Sequence, residues 1–293
     1  MDTHLLRTFV TVARLGSFSA AAAELRYTQA AVSQQIAALE NDLKVTLLTR
    51  RPVAPTEAGA RLLEHAEPIL LRLDAARADI TRMTLAPPAC LVAALTPLAG
   101  GCTAVAPALA ALRQRMPRLD VTIRVASRAD VAAGVARGEF DIGLIDGLAA
   151  PGDPLPVAAP LSGVGVIEEE AAVVLPDDHP LAARAGVRLA DLVDARWIDA
   201  PGASPPLSDV RRVAGVDGFR AALSYEGTDI LSLIALARAG HGLTLLPAPA
   251  AVGAGFPAVR ITEPRMVHRV ELVHGTLRAG SPAAVLAGLL LTR

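Results

Sequence analysis

The sequence predicts an α/β protein with an all-α N-terminal part, because three different patterns follow one another along its 293 residues. Two short helical segments joined by a tight turn come first, and a heptad repeat of apolar residues follows them. From residue 90 onward, short apolar runs alternate with helical segments, which is typical of βαβ units and a parallel sheet. A chain of this length with 52% hydrophobic residues can form two or three compact units, each with its own core.

The two N-terminal segments are predicted to form a helix-turn-helix. Ser17 and Thr28 stand just before the two helical patterns, where a hydroxyl can accept a hydrogen bond from an unpaired backbone N–H. In the second helix, Val32, Ile36 and Leu39 recur at helical spacing and should pack inward. The opposite face is small and polar, as in a recognition helix that reads base edges in the major groove of double-stranded DNA. An ordinary helical hairpin that touches no DNA is the alternative.

We expect DNA contacts from the start and the outer face of the second helix, and from the turn that follows it. Arginine suits both phosphate contacts and the minor groove, so the two adjacent arginines of that turn are candidates. Two solvated arginines at a turn are the alternative. The predicted DNA-contacting residues are Thr28, Gln29, Ala30, Ser33, Gln34, Arg50 and Arg51.

A long helix is predicted from Thr56, which can cap it, to about Met83. Its apolar residues are spaced by four and three in turn, and a seam of this kind needs a second helix beside it. We therefore predict a dimerisation helix, with packing against its own chain as the alternative. Pro68 lies inside the run and should kink the helix. The seam residues are Leu62, Ala66, Ile69, Leu73, Ala76 and Ile80.

The remaining residues are predicted to form two α/β units. Strands are expected at residues 90–95, 120–125, 140–145, 171–175, 197–200, 221–225, 243–246 and 270–274, and helices at 105–114, 130–137, 230–239 and the C-terminal end. Carboxyl ends of parallel strands meet at one edge of a sheet, beside helix N-termini that favour anions and polar groups. Thr96, Ser127 and Thr228 are candidates there, either as ligand contacts or only as helix caps.

The register from Leu5 to Glu40 resembles the N-terminal signature of the LysR-type transcriptional regulators. The segment from Leu47 to Gly59 is similar to the wing of that family and to its Thr-x-Ala-Gly exit. The residues that stand where the family places them, without a gap, are Phe9, Gly16-Ser17-Phe18, Ala21-Ala22, Leu25, Gln29, Ser33, Gln35-Ile36 and Leu39-Glu40.

The resemblance implies three parts and an assembly. A winged helix-turn-helix would occupy residues 1–58, a dimerising linker helix and hinge residues 59–88, and a two-lobed effector-binding domain residues 89–293. That domain is similar to periplasmic solute-binding proteins, with lobe I at about 89–160 and 266–293 and lobe II at about 161–265. The family's inducer-contacting loops match Thr96, Ser127, Pro201, Gly202 and Thr228. The resemblance also implies assembly into a homodimer or homotetramer. The implied partners are RNA polymerase and a small effector that we expect to be anionic or zwitterionic.

Three departures from the family pattern concern DNA binding. Ala30 and Gln34 replace the Pro and Arg that many members carry, and the wing segment after Arg50 is shorter. Arg favours guanine, whereas Gln can pair bidentately with adenine, so we expect a different half-site.

Other classes of function find little support. The net charge of −1 provides no global attraction to nucleic acid, so phosphate contacts must be local. We expect a cytoplasmic protein without membrane contact, since the sequence has neither a spanning apolar run nor the layout of a signal peptide. No motif supplies a nucleophile, a cofactor site or a metal site, so we predict neither an enzyme nor a cofactor.

Two alternatives stay open. One is an α/β solute-binding or catalytic protein with an adventitious helical N-terminus. The other is a thiol redox-sensing regulator that uses Cys90 and Cys102. The run from Glu168 to Glu170 is predicted to be a solvated approach to the following strand, and the Asp177 to Leu181 segment a turn rather than a metal site.

Overall fold

The computed structural model describes residues 2–84, 90–176, 178–253 and 258–292. The chain divides into two compact units, Met1–Thr81 and Arg82–Arg293. Residues 85–89, which include most of the predicted hinge, lie outside the described residues, as does Asp177.

The N-terminal unit is a winged helix-turn-helix followed by a long helix. Its elements are α1 (Thr3–Leu15), α2 (Phe18–Leu25), α3 (Gln29–Leu43), β1 (Leu48–Arg50), β2 (Val53–Pro55) and α4 (Glu57–Thr84). The predicted caps are confirmed, because Ser17 accepts a hydrogen bond from Ala20 N and Thr28 from Ala31 N. Between α2 and α3, Arg26 adopts a left-handed conformation (φ 57°), which turns the chain within three residues.

The core of this unit confirms the inward face predicted for α3. Val32, Ile36 and Leu39 are fully buried and pack with Phe9 and Phe18 from α1 and α2. The helical spacing of the apolar residues therefore fixes which side of α3 faces outward.

Helix α4 has the predicted extent, since it runs from Glu57 to Thr84 and contains Pro68. The predicted seam differs at its start. Leu62 and Ala66, at the start of the predicted seam, pack against Leu6 of α1. Ile69 is 42% exposed, so the outward part of the seam begins there.

The C-terminal unit contains one large mixed sheet and a separate two-stranded sheet. Its strands are β3 (Cys90–Leu95), β4 (Asp120–Val125), β5 (Ile142–Ala149), β6 (Ser162–Val174), β7 (Val187–Arg188), β8 (Trp197–Asp199), β9 (Ala221–Ser224), β10 (Thr244–Pro247), β11 (Ala258–Glu263) and β12 (Val267–His274). Its helices are α5 (Pro97–Gly100), α6 (Val105–Arg115), α7 (Arg128–Arg137), α8 (Leu207–Ala214), α9 (Ile230–Arg238), α10 (Ala248–Gly253) and α11 (Pro282–Leu291), with a 3-10 turn at Leu189–Leu192.

The pairing of these strands shows two lobes joined by long strands. The order in the large sheet is β4-β3-β5-β12-β6-β11-β7, with β10 also paired to β6, and β8 and β9 form the separate sheet. The first βαβαβ unit is parallel as predicted, and β12 returns to it beside β5, but antiparallel. Strand β6 pairs with β12 along its first part and with β10 and β11 along its last part, so it runs from one lobe into the other.

Two predictions for this unit are corrected, and several of its elements were not predicted. The three glutamates 168–170 are part of β6 and not a solvated approach to it, because the strand begins at Ser162. Helix α9 is capped by Asp229, whose carboxylate accepts from Leu231 N and Ser232 N, so Thr228 is not the cap. Helices α5, α8 and α10 and strands β7 and β11 were not predicted.

Candidate functional site

The residues predicted to read DNA lie together at the start and on the outer face of α3. Thr28, Gln29, Ala30 and Gln34 are exposed, and Ser33 is half-buried. The Thr28 hydroxyl is occupied as the helix cap, at 3.2 Å from Ala31 N. The two glutamine amides therefore provide the outward donors and acceptors of this surface.

Gln35, the neighbour of Gln34, has a different role. Its side-chain oxygen accepts a 2.6 Å hydrogen bond from the Thr8 hydroxyl, which ties α3 to α1. The two adjacent glutamines thus point to different sides of α3, because successive positions on a helix are about 100° apart.

The wing is anchored to α3 by Glu40. Its Oε1 accepts hydrogen bonds from Leu47 N at 2.8 Å and Leu48 N at 3.2 Å. Its Oε2 lies 3.8 Å from the Arg50 guanidinium, which also stacks 4.8 Å above the Phe18 ring. Arg50 is therefore held in place while remaining half-exposed, and the neighbouring Arg51 is exposed.

Sequence reasoning missed one residue of this surface. Tyr27 directly precedes the Thr28 cap and is 46% exposed. An exposed ring at the entrance to a recognition helix can contact sugar or phosphate through its hydroxyl. The position of Tyr27 in the turn before α3 was the sequence feature that could have indicated an exposed residue here.

In the C-terminal unit, a cleft of about 260 Å³ lies where the lobes meet. Thr96 and Ser127 follow β3 and β4 in one lobe, and the loop from Pro201 comes from the other. The lining consists of Thr96, Pro97, Leu98, Ser127, Arg128, Asp146, Pro201, Gly202, Ala203, Ser204, Pro205, Pro206 and Asp209.

Four of the five predicted effector contacts line this cleft, and Thr228 does not. Thr228 borders the Gly202 loop, because a Cβ added to Gly202 would lie 3.6 Å from Thr228 Cγ2. The same Cβ would lie only 2.9 Å from the Gly227 carbonyl oxygen, so the close approach of the two loops requires glycine. Ser127 caps α7 by accepting from Asp130 N, and its hydroxyl donates to the Asp130 carboxylate at 2.7 Å.

A buried polar network forms the floor of the cleft. The Thr96 hydroxyl donates to one oxygen of Asp146, and the other oxygen lies 2.8 Å from His268 Nε2. On the far side of the imidazole, Glu169 Oε2 is 3.8 Å from Nδ1. Successive residues of a strand face opposite ways, so Glu169 alone of the three adjacent glutamates points to this interior, and it is buried.

The charges of this network stabilise one another. Burial by itself lowers the pKa of His268, but the hydrogen bond and charge of Asp146 and the charge of Glu169 outweigh it and raise that pKa to about 9. Burial by itself raises the pKa of Asp146, yet the hydrogen bond and charge of His268, aided by Thr96, hold it below its usual value. The network therefore holds an imidazolium and a carboxylate at neutral pH.

The cation of the cleft lining is Arg128, at the first position of α7. It donates a 3.1 Å hydrogen bond to the Pro156 carbonyl and lies 3.8 Å from Asp209 of α8. Asp209 is also 3.4 Å from Arg212, which donates to the Leu148 carbonyl. This chain of contacts links α7 to α8 across the cleft.

The cysteines do not form a disulfide, and only Cys90 is exposed. Burial raises the pKa of the Cys102 thiol, which disfavours the reactive thiolate. Across the described ranges, no group of three or more His, Cys, Asp or Glu side chains is arranged to hold a metal ion. None of the helices described is both long and apolar enough to span a membrane.

Comparisons with known proteins match both units. The profile described as "Bacterial regulatory helix-turn-helix protein, lysR family" matches residues 3–60, and "LysR substrate binding domain" matches residues 92–288. The chain is 31% identical over 256 residues to the HTH-type transcriptional regulator BudR of Raoultella terrigena, covering 84% of each chain. It is 29% identical over 270 residues to the uncharacterized HTH-type transcriptional regulator YnfL of Escherichia coli, covering 91% of this chain and 86% of the relative.

A solved structure of similar fold is that of full-length CbnR complexed with its target DNA. The alignment covers 99% of both chains with 22% sequence identity and a TM-score of 0.53. At this identity the likeness concerns the fold.

Proposed function

The chain belongs to the LysR family of DNA-binding transcriptional regulators with an effector-binding domain, and from this premise we propose which of its residues read the operator and sense the effector. Base reading is assigned to Gln29, Ser33 and Gln34 of α3, and sequence-independent phosphate or minor-groove contacts to Arg50 and Arg51. The observation that carries this assignment is the outer face of α3, where Gln34 is exposed while Gln35 is tied inward to Thr8.

A matched pair of variants tests the assignment. Gln34→Ala should relax the preference at one base of the half-site by about 1–3 kcal/mol, because a bidentate contact to adenine would be lost. Gln35→Ala removes the same side chain from the inner face and should leave base preference unchanged. Competition binding with a randomised half-site library measures both. An identical preference in Gln34→Ala and wild type would remove Gln34 from base reading.

The wing predicts a different signature. Arg51→Ala should weaken binding to all sequences alike and reduce the slope of log affinity against log salt, as loss of a phosphate contact does. Arg51 is the cleaner probe because Arg50 also stacks on Phe18 and faces Glu40. A sequence-selective loss in Arg51→Ala would instead indicate base reading in the minor groove.

We also propose that the cleft is the effector site, with Thr96, Ser127, Pro201 and Gly202 among its contacts. A thermal-shift screen of amino acids, aromatic acids and other small carboxylates on the full chain would find ligands. Thr96→Val should then lower the affinity of a ligand found in the screen roughly tenfold. The hydrogen bond between the Thr96 hydroxyl and the ligand would be lost, and the polar group of the ligand would be left unpaired. Thr122→Val, on the exposed strand β4, is the matched control. Equal affinities in wild type and Thr96→Val would place the site elsewhere.

The assembly and the boundaries complete the proposal. We propose the winged domain at residues 1–58, the linker helix and hinge at 59–88 and the effector domain at 89–293, paired through α4 as a homodimer or homotetramer. Effector binding would alter operator affinity only to the extent that the effector binds two arrangements of the subunits unequally. We also propose RNA polymerase as a partner and the cytoplasm as the location of the protein. Its proposed activity is gene regulation without catalysis.

A further inference from the structure

The charged groups of the cleft do not suit a purely anionic ligand. Three charged side chains line the cavity, and two of them are the carboxylates of Asp146 and Asp209. The one cation among these lining residues, Arg128, already pairs with Asp209 at 3.8 Å. An acid without a positive group would meet an excess of negative charge on the described lining.

Asp146 is placed to bind a donor from the cleft. Its side chain is 10% exposed and belongs to the cavity lining. Thr96 and His268 each occupy one carboxylate oxygen, from within the protein. A carboxylate has about four acceptor positions, so each oxygen can accept one more hydrogen bond. Because both oxygens are already oriented, a ligand would lose little free energy in ordering them.

The imidazole behind Asp146 offsets only part of the negative charge beside the cleft. His268 lies between two buried carboxylates, Asp146 at 2.8 Å and Glu169 at 3.8 Å. One imidazolium therefore serves two acidic groups. A ligand ammonium on the cleft side of Asp146 would supply a second positive charge next to them.

We propose that the effector is a small zwitterion of the amino-acid class, whose protonated primary amine donates hydrogen bonds to Asp146 and whose carboxylate meets Arg128 and the N-terminus of α7. This inference rests on the proposed role of the cleft as the effector site, and it narrows the ligand class. The cavity of about 260 Å³ is at the small end for ligand sites, which suits a molecule of this size. In this proposal Asp146 selects the amino acid over the hydroxy acid of the same shape, because it accepts hydrogen bonds from the ammonium group.

The test uses the full chain and matched compounds. Calorimetry compares the standard L-amino acids with the 2-hydroxy acids that replace each ammonium by a hydroxyl, and with the amines that lack the carboxylate. For valine, these are 2-hydroxy-3-methylbutanoic acid and 2-methylpropylamine. We expect the tightest ligand to be an amino acid, and its hydroxy acid to bind at least about tenfold more weakly, because a charge-assisted hydrogen bond is lost. This comparison requires no variant and so does not depend on how a mutant folds.

Asp146→Asn provides the second measurement. It should lower the affinity for the amino acid about ten- to hundredfold while reducing the preference over the hydroxy acid. Glu170→Gln is the control, because Glu170 lies next to Glu169 on β6 but pairs with Arg260 at the surface, and it should bind like wild type.

The possible outcomes distinguish the proposed effector site from the proposed ligand class. A hydroxy acid or a simple acid that binds as tightly as the amino acid, and loses affinity in Thr96→Val, would overturn the amine inference and keep the cleft as the effector site. A tight amino-acid ligand whose affinity neither Asp146→Asn nor Thr96→Val changes would overturn the cleft itself. A chain that binds its operator but none of these compounds would also overturn the inference, leaving the DNA-binding function intact.

Discussion

Raising the pH above 6.5 should destabilise the effector-binding unit through His268. The folded protein keeps the proton of this buried imidazole up to a pKa of about 9, whereas an unperturbed histidine releases it near 6.5. The stabilisation is therefore complete below pH 6.5 and is lost as the pH rises through about 9. A difference of about 2.5 pH units corresponds to about 3 kcal/mol in the free energy of unfolding, at about 1.36 kcal/mol per unit.

At the acidic end of the pH profile, the free energy of unfolding depends on Asp146. Its pKa is held below the usual value of 3.8 in the folded state, so its contribution is present above pH 3.8 and is lost as the pH falls through the folded pKa. Together, the two groups predict a plateau of stability between about pH 4 and 6.5.

Urea unfolding at a series of pH values measures this effect. Trp197 is the one tryptophan of the chain and is fully buried against Phe219, so its fluorescence reports the effector-binding unit. Protein concentration must stay fixed, because assembly also contributes to apparent stability. His268→Gln cannot titrate, so the difference between its profile and that of wild type isolates the His268 contribution.

One result would refute the reasoning. If wild type and His268→Gln show parallel profiles between pH 6.5 and 9, the His268 pKa is not raised by Asp146 and Glu169. A wild-type stability that rises as the pH approaches 6.5 from below, and then stays level up to pH 9, would mean that burial of the imidazole outweighs both carboxylates.

Further predictions concern the N-terminal unit and α4. Ile69→Glu places a charge where the seam becomes exposed, so it should shift analytical ultracentrifugation profiles toward the monomer and weaken operator binding; an unchanged assembly would exclude Ile69 from the interface. Gly59→Ala should destabilise the winged unit by at least about 1–3 kcal/mol in thermal unfolding, because the new methyl group would lie 2.1 Å from the Leu47 carbonyl oxygen. Gly288→Ala, in the open on α11, is the control and should be neutral or stabilising by up to about 1 kcal/mol; equal effects would show that α4 shifts freely away from Leu47.

The DNA-binding part could be predicted because its information is local. Ser17 and Thr28 cap helices through backbone groups three residues away, and Val32, Ile36 and Leu39 define an inner face by spacing alone. The family signature in the same segment set the register, and the outward glutamines followed from it. These interactions lie within one or two turns of helix, so the sequence carries them directly.

The floor of the cleft could not be predicted in the same way. Asp146 and His268 are 122 residues apart and meet only because β12 pairs beside β5. Glu169 lies in a run of three glutamates that have the same hydropathy. The sequence therefore does not show which of the three side chains faces the interior of the sheet. Thr96 was found as a polar residue after a strand, but its partner Asp146 lies on a different strand.

The sequence by itself therefore determined the order of the domains, the helix-turn-helix and the outward face of α3. Only the tertiary structure decided which charges share the cleft, that α4 begins its seam against α1, and that one buried imidazole lies between two carboxylates. The physical reason is the range of the interactions: caps and helical periods act between near neighbours, whereas strand pairing joins side chains whose separation along the chain leaves no repeating pattern.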